Sequence, residues 1–157
     1  VGDGNNIVHS WLALAMRIPF NFTIACPENY KPDIDMIKKA RNEGLSEINV
    51  SHDPYDAVKG SDVIYTDVWV SMGDDEEAQK KMERLKNYQI NQDLLSAAKQ
   101  DTLVMHCLPA HRGEEITSKV LDGKNSIVFD QAENRLHVQK AILETLLAQH
   151  PKSLPNL

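Results

Sequence analysis

The chain has 157 residues, 41% of them hydrophobic and 25% charged, which suits one globular domain with a real core and excludes a disordered chain. A net charge of −6 with no block of Lys or Arg excludes counterion-driven binding of nucleic acid, and no apolar run approaches the roughly 20 residues that span a bilayer. Cys26 and Cys107, the two cysteines, have no ligand pattern around them and fit a reducing, cytoplasmic compartment; the Val-Gly-Asp-Gly start carries no basic leader.

Val1-Gly2 reads as the end of a β-strand whose earlier residues lie outside this chain. After the Gly2–Asn6 turn, Ile7 to Arg17 is predicted helical, with Ile7, Trp11, Leu14 and Ala15 near a 3.6-residue period and Pro19 as the stop. Phe20 to Ala25 alternates as a strand. Asp33 is a natural N-cap for a helix that carries Ile34, Ile37 and Ala40 on one face and ends at Gly44. Glu47 to Ser51 reads as a short strand, and Asp53-Pro54 opens a brief helix that Gly60 closes. Asp62 to Thr66 is the next strand. The Asp67–Gly73 loop leads into a helix whose first turn is acidic, Asp74 to Glu77, and whose Ala78, Met82 and Leu85 share a face. A helix over 92–99, a strand over Thr102–His106, the Cys107–Gly113 loop and a short helix near Glu114–Leu121 follow. Strand Ser126–Phe129 and a long helix from Ala132 to Gln149 come last, before a frayed tail over 151–157.

Alternating strands and helices predict an α/β fold, a three-layer Rossmann-like sandwich with a five-stranded parallel sheet in the order 2-1-3-4-5 and the first strand central. Residues 1–150 form the single domain. In such a sheet, ligands sit in the crevice outside the carboxyl ends of the strands. Asp67-Val68-Trp69-Val70-Ser71-Met72-Gly73 and His106-Cys107-Leu108-Pro109 both lie there, each just after an apolar β-branched run.

These two segments bring an acid, a hydroxyl, backbone N–H groups and a thiol to neighbouring strand ends, a set suited to a small zwitterion bearing an amine. Taken singly, Asp67 and Ser71 also fit an N-cap or Asx turn, Trp69 and Val70 fit packing, and Cys107 fits a small buried hydrophobe. Pro109 restricts Leu108 to an extended conformation and turns its carbonyl outward as an amine acceptor. Gly2-Asp3-Gly4-Asn5-Asn6 precedes a helix N-terminus that can face an anion; it is either a structural turn capped by Asn, or a site where the Asn6 amide holds a substrate carboxylate. Ile7 replaces the third glycine of a dinucleotide fingerprint, which disfavours a nicotinamide site. His106, Cys107 and His111 fall short of a structural zinc pattern, so no metal is expected. Arg135, in the opening turns of the last helix, either reaches an anion in the crevice or forms a surface pair with Glu133.

Together, Gly-Asp-Gly-Asn-Asn at 2–6, Asp67 with Ser71-Met72-Gly73, His106-Cys107-Leu108-Pro109 and Ala132-Glu133-Asn134-Arg135 resemble the second domain of the ornithine carbamoyltransferase family. The resemblance covers essentially the whole chain, and the Cys in the later motif separates it from aspartate-specific relatives. It implies a transferase of arginine metabolism that joins the carbamoyl group of carbamoyl phosphate to ornithine. It implies that Asn6, Asp67, Ser71 and Met72 bind ornithine, that Cys107 stands at the reacting amine as the catalytic thiol, and that Cys107, Leu108 and Arg135 approach carbamoyl phosphate. It implies no cofactor, no membrane or nucleic-acid partner, and a homo-oligomer, a trimer or multiple of trimers, in which a neighbouring subunit completes each site. The domain with the Ser-Thr-Arg-Thr-Arg phosphate loop lies outside these residues, so this chain alone is expected to be inactive. Two alternatives stay open: an amino-acid-sensing module without chemistry, and a carbamoyltransferase for a related diamine.

Overall fold

The computed structural model describes residues 1–70 and 75–148. Helix α1 (Asn6–Ala15) starts where Asn5 accepts from the Ile7 and Val8 N–H groups, and it buries Leu12 and Ala15. Strand β1 (Phe22–Ala25) follows. Helix α2 (Ile34–Glu43) is capped by Asp33 and stopped by Gly44 at φ 69°, a left-handed value that glycine adopts without penalty. Strand β2 (Ile48–Ser51) lies parallel to β1, from Phe22 opposite Ile48 to Ala25 opposite Ser51. Helix α3 (Pro54–Ala57), capped by Asp53 with proline in its first turn, leads to β3 (Val63–Thr66). Helix α4 (Asp75–Leu85) and helix α5 (Gln92–Ala97), the latter capped by Asn91, precede β4 (Leu103–His106). Strand β4 is parallel to β3, with Thr66 opposite His106 at its end. Helix α6 (Ser118–Leu121) and the long α7 (Val128–Ala148) complete the order. No described helix is long and apolar enough to cross a membrane.

The strands carry apolar residues on both faces, as in an α/β sheet rather than a one-sided antiparallel one. Neighbours on a strand point to opposite faces. On β1, Ile24 joins a cluster with Leu12, Ala15, Ile37 and Ala40 from α1 and α2, while Ala25 joins Trp69, Leu85 and Tyr88. On β3, Ile64 packs with Val104, Leu94, Val120 and Val128, while Tyr65 meets the Trp11 ring edge-on at 5.4 Å. The packing role expected of Trp69 is observed: it is buried.

The strands form two parallel ribbons, β1–β2 and β3–β4. Val1-Gly2 lies between them. The Val1 amine donates to the Tyr65 carbonyl at 2.8 Å, Gly2 N–H donates to the Ala25 carbonyl at 2.9 Å, and the Thr66 hydroxyl donates to the Val1 carbonyl at 2.9 Å. These two residues do not part β1 from β2, which pair directly. Beside them, a cavity of about 670 Å³ opens between β1 and β3, lined by Trp11, Phe20, Phe22 and Tyr65 among others.

The expected strand over 126–129 is cut short. Ser126 pairs with Val104 and flanking hydrogen bonds join Asn125 and Ile127 to Val104, but Val128 and Phe129 already belong to α7. The Gln131 N–H reaches back to the Ile127 carbonyl at 2.9 Å, so the first helical turn overrides the β-propensity of Ile-Val-Phe. Two 3-10 turns, Glu28–Tyr30 and Lys86–Tyr88, carry no periodic signal and were not anticipated.

Gly4 shows how tightly the first loop is held. A Cβ there would stand 2.3 Å from the Pro32 nitrogen and 2.6 Å from the Tyr30 carbonyl oxygen, both rigid backbone, whereas Gly44 has nothing within 4 Å. Gly4→Ala should cost about 3 kcal/mol of unfolding free energy by overpacking. Gly44→Ala should cost about 1 kcal/mol, from its backbone conformation alone. Urea titration of both variants measures the difference; equal losses would mean that the Gly4 loop yields freely.

Candidate functional site

Register does the first part of the assembly. Because Thr66 stands opposite His106, the next residues, Asp67 and Cys107, leave the carboxyl ends of β3 and β4 side by side. The Cys107 thiol donates to Asp67 Oδ1 at 2.8 Å, and the Val68 N–H donates to the same oxygen at 2.8 Å. The other oxygen, Oδ2, accepts from the Asn5 side-chain amide at 3.0 Å. Asn5 is thus used at both ends: its Oδ1 caps α1 and its Nδ2 holds the acid. Asp67 and Cys107, singled out from sequence, are brought together.

Asn6, next to Asn5 in the chain, takes no part in this network. It is the first residue of α1 and exposed, and among the described residues its side chain makes no hydrogen bond. Asn5 is the asparagine that meets Asp67. The signal for it was the cap position itself, since a capping Asn spends its oxygen on the helix and leaves its N–H₂ free. Ser71 and Met72 lie outside the described residues, as does Asp74. Arg135 is exposed on α7, and the surface pair considered for it with Glu133 is not formed; Glu133 faces His137 instead, at 3.5 Å.

Gln131, in the first turns of α7, was missed from sequence. Its carbonyl oxygen accepts from the His106 N–H at 3.0 Å and its amide donates to the Tyr65 hydroxyl at 3.3 Å, tying α7 to both strands. On the first loop, Asp3 pairs with Lys81 of α4, whose ammonium also stands 5.6 Å from the centre of the Tyr30 ring.

Leu108 departs from expectation. It is not extended: its φ is +55°, and the peptide bond to Pro109 is cis. A left-handed conformation costs a branched residue about 1–2 kcal/mol. The offsetting contact is the Leu108 N–H, which donates to His106 Nδ1 at 2.8 Å. His106 and Glu115 are both fully buried, and His106 Nε2 meets Glu115 Oε1 at 3.1 Å. With both ring nitrogens engaged, His106 has none to offer a metal. His111, Glu114 and Glu115 hold ligand-type atoms within 4.8 Å of one another, but Glu115 Oε1 already accepts from His106 and from the His111 N–H at 2.6 Å.

Burial first, and then the hydrogen bond to Asp67, push the Cys107 thiol up to about 11. Burial, followed by the neighbouring Cys107, raises the Tyr65 phenol well above its usual range. At neutral pH, Cys107 is therefore a protonated donor rather than a thiolate nucleophile. The two strand ends present an acid oriented by three donors, a neutral thiol, and backbone groups. That set suits an ammonium group and a nearby uncharged amine.

The family described as aspartate/ornithine carbamoyltransferase, Asp/Orn binding domain, matches residues 1–146. Ornithine carbamoyltransferase of Syntrophus aciditrophicus is 55% identical over 147 residues, 94% of this chain and 49% of the relative. The chloroplastic ornithine carbamoyltransferase of Pisum sativum is 53% identical over 149 residues, 95% of this chain and 40% of the relative. Among solved structures, ornithine carbamoyltransferase from Pyrococcus furiosus aligns with a TM-score of 0.84 at 49% identity, over 91% of this chain and 47% of that one. The anabolic enzyme from Campylobacter jejuni aligns with a TM-score of 0.87 at 37% identity, over 94% and 50%. The chain spans about half the length of the curated relatives it matches.

Cys26, buried in the α1–α2 cluster, is pushed up to about 11 as well, chiefly by burial. A thiol whose folded value is raised contributes stability that is whole below its ordinary value and lost as pH rises through the folded one. The urea midpoint should therefore fall between about pH 9 and pH 11. Cys107→Ser should make that fall shallower. A midpoint that stays level across this range in the native chain would contradict the buried thiols.

Proposed function

This chain belongs to the aspartate/ornithine carbamoyltransferase family as its Asp/Orn-binding domain, and from that premise we propose that its cleft holds L-ornithine for carbamoyl transfer from carbamoyl phosphate, giving L-citrulline and phosphate. The observation that carries this reading is the Asp67 carboxylate, held by Asn5, Val68 and Cys107 at the strand ends. An acid at the centre of the cleft attracts a substrate with two amines and repels the side-chain carboxylate of aspartate.

The chemistry assigns the groups. In the reaction, the δ-nitrogen of the neutral amine bonds to the carbamoyl carbon, the carbon–oxygen bond to phosphate breaks, and phosphate leaves with that electron pair and takes up the proton that the δ-nitrogen loses. An alkylamine has a pKa of about 10.4, so its neutral form near pH 7.5 costs roughly 4 kcal/mol. A carboxylate beside the δ-amine would raise that pKa further. Asp67 is better matched to the α-ammonium, which stays charged throughout, with Ser71 sharing it. Asn6 and the Met72 N–H take the α-carboxylate. Cys107, protonated and neutral, and a backbone carbonyl orient the δ-amine without adding charge; Cys107, Leu108 and Arg135 approach carbamoyl phosphate. Positioning and stabilisation of phosphate charge supply most of the rate.

The same reading makes residues 1–150 an ornithine-binding half, with the carbamoyl phosphate domain elsewhere in a longer polypeptide and trimers, or multiples of trimers, as the working assembly in a reducing, cytoplasmic compartment. Two free thiols and relatives about twice as long support it. So does α7, where Leu136, Leu143 and Leu147 are about 60% exposed, an apolar face that a second domain would cover. It also orders the described strands as one sheet, 2-1-3-4-5, with Ser126 as the fifth edge. The hydrogen bonds of Val1-Gly2 to both ribbons and the Val104–Ser126 bridge support that order.

In the full-length protein, Asp67→Ala should weaken ornithine binding by about 2 kcal/mol, roughly thirtyfold, by removing a charged hydrogen-bond partner. Cys107→Ser should change ground-state affinity by only a few-fold and act mainly on kcat. Calorimetry with ornithine, in the presence and absence of carbamoyl phosphate, measures both; comparable affinity losses would reverse the two assignments. The 157-residue chain alone should make no citrulline, and turnover near that of the full-length protein would refute its being a half-site. Ornithine binding without turnover in the full-length protein would favour an amino-acid sensor.

A further inference from the structure

We propose that Glu115 is a positioning residue of the cleft: through His106 it holds the Cys107–Leu108 peptide in place and thereby sets the Cys107 thiol against Asp67. The role of the cleft rests on the function proposed above; the geometry does not.

The Leu108 N–H donates to His106 Nδ1 at 2.8 Å, so that nitrogen carries no proton and the ring is protonated on Nε2. The Nε2–H in turn points at Glu115 Oε1, 3.1 Å away. A carboxylate behind one ring nitrogen fixes which tautomer the other presents. The reverse tautomer would face two donors, Nδ1–H and the Leu108 N–H, and the turn would open. For the Leu108 nitrogen to reach a ring two residues earlier, the backbone must curl back through Cys107; the φ of +55° at Leu108 then turns the chain onward into Pro109. Cys107 is the residue inside that curl. Its thiol is carried toward β3, where Asp67 and the Tyr65 phenol are the titratable groups facing it.

Glu115 also accepts from the His111 N–H at 2.6 Å, which closes the loop from Cys107 to Glu115 on a single oxygen. Its second oxygen, Oε2, is buried without a hydrogen-bond partner. An apolar side chain of similar shape would avoid that cost if filling the core were the whole role. The carboxylate is retained for the one acceptor that orients His106.

The test is alkylation of the chain with iodoacetamide across a pH series, reading Cys107 and Cys26 separately by peptide mass. Native Cys107 should react slowly until the pH nears about 11. In Glu115→Ala its profile should shift toward that of an ordinary thiol, with a rate at pH 8 on the order of tenfold or more above native. Buried Cys26 should stay slow and so report an intact fold. Glu115→Gln, whose amide oxygen keeps both acceptor bonds, should retain the native profile. An unchanged Cys107 profile in Glu115→Ala with Cys26 protected would overturn the proposal, as would a Glu115→Gln profile as open as that of Glu115→Ala. If Glu115→Ala does not fold, the native ring decides: ¹⁵N shifts showing His106 protonated on Nε2 support the proposal, and protonation on Nδ1 overturns it. Failure of ornithine to slow Cys107 alkylation in the full-length protein would count against the proposed function and leave the positioning role standing.

Discussion

A carboxylate that gathers donors from three separate stretches of chain sets the geometry of this cleft. Asp67 takes one N–H from its own strand end, one amide from the first loop and one thiol from the neighbouring strand. An ionised acid only accepts, so each donor has to be aimed at it. The aiming comes from the fold. Parallel strands lie about 4.8 Å apart, and the register that pairs Thr66 with His106 leaves the next side chains within reach of each other. A one-residue slip would turn the thiol to the opposite face. The loop from Gly2 to Asn5 is held by equally local means: Gly4 fits against the Tyr30–Pro32 backbone, and Asp3 is tied to Lys81.

How much of this was legible in the sequence depends on whether a residue's role follows from its neighbours in the chain. Asp67 and Cys107 each follow an apolar strand, so their shared position at the carboxyl ends could be read directly. Asn5 and Asn6 could not be told apart that way. Two identical residues sit at a helix start, and only the backbone separates them: Asn5 is extended, at φ −77° and ψ −168°, and Asn6 is already helical. The end of the fifth strand was misjudged because Ile-Val-Phe favours strands, while tertiary contacts give Val128 and Phe129 to a helix. Leu108 departs from the usual preference before proline, and neither that turn nor the bond its N–H makes to a histidine two residues earlier has a signal in the sequence. Glu115 left no trace at all. It stands in a stretch that reads as the start of a short helix near Glu114–Leu121, and only the folded chain buries it.

The exposed length of α7 belongs to the same picture. Of its 21 residues only Val128 is buried, at the end that touches β4. Gln131 anchors that end to the cleft through His106 and Tyr65, while Leu136, Leu143 and Leu147 face outward. Helical stability in proteins comes mostly from a packed apolar face. This helix therefore joins a rigid origin at the site to an apolar surface beyond it.

Asn5 has a consequence for tolerance to substitution. Asp and Ser cap helices about as well as Asn, so either should preserve α1. Asp, however, would set a second acid against Asp67, and the shorter Ser would leave the acid without its amide partner. A library sorted only for solubility or melting temperature would accept such replacements at this position. Sorted for ligand capture, the same library would discard them, which makes position 5 a place where selection for robustness and selection for recognition pull apart.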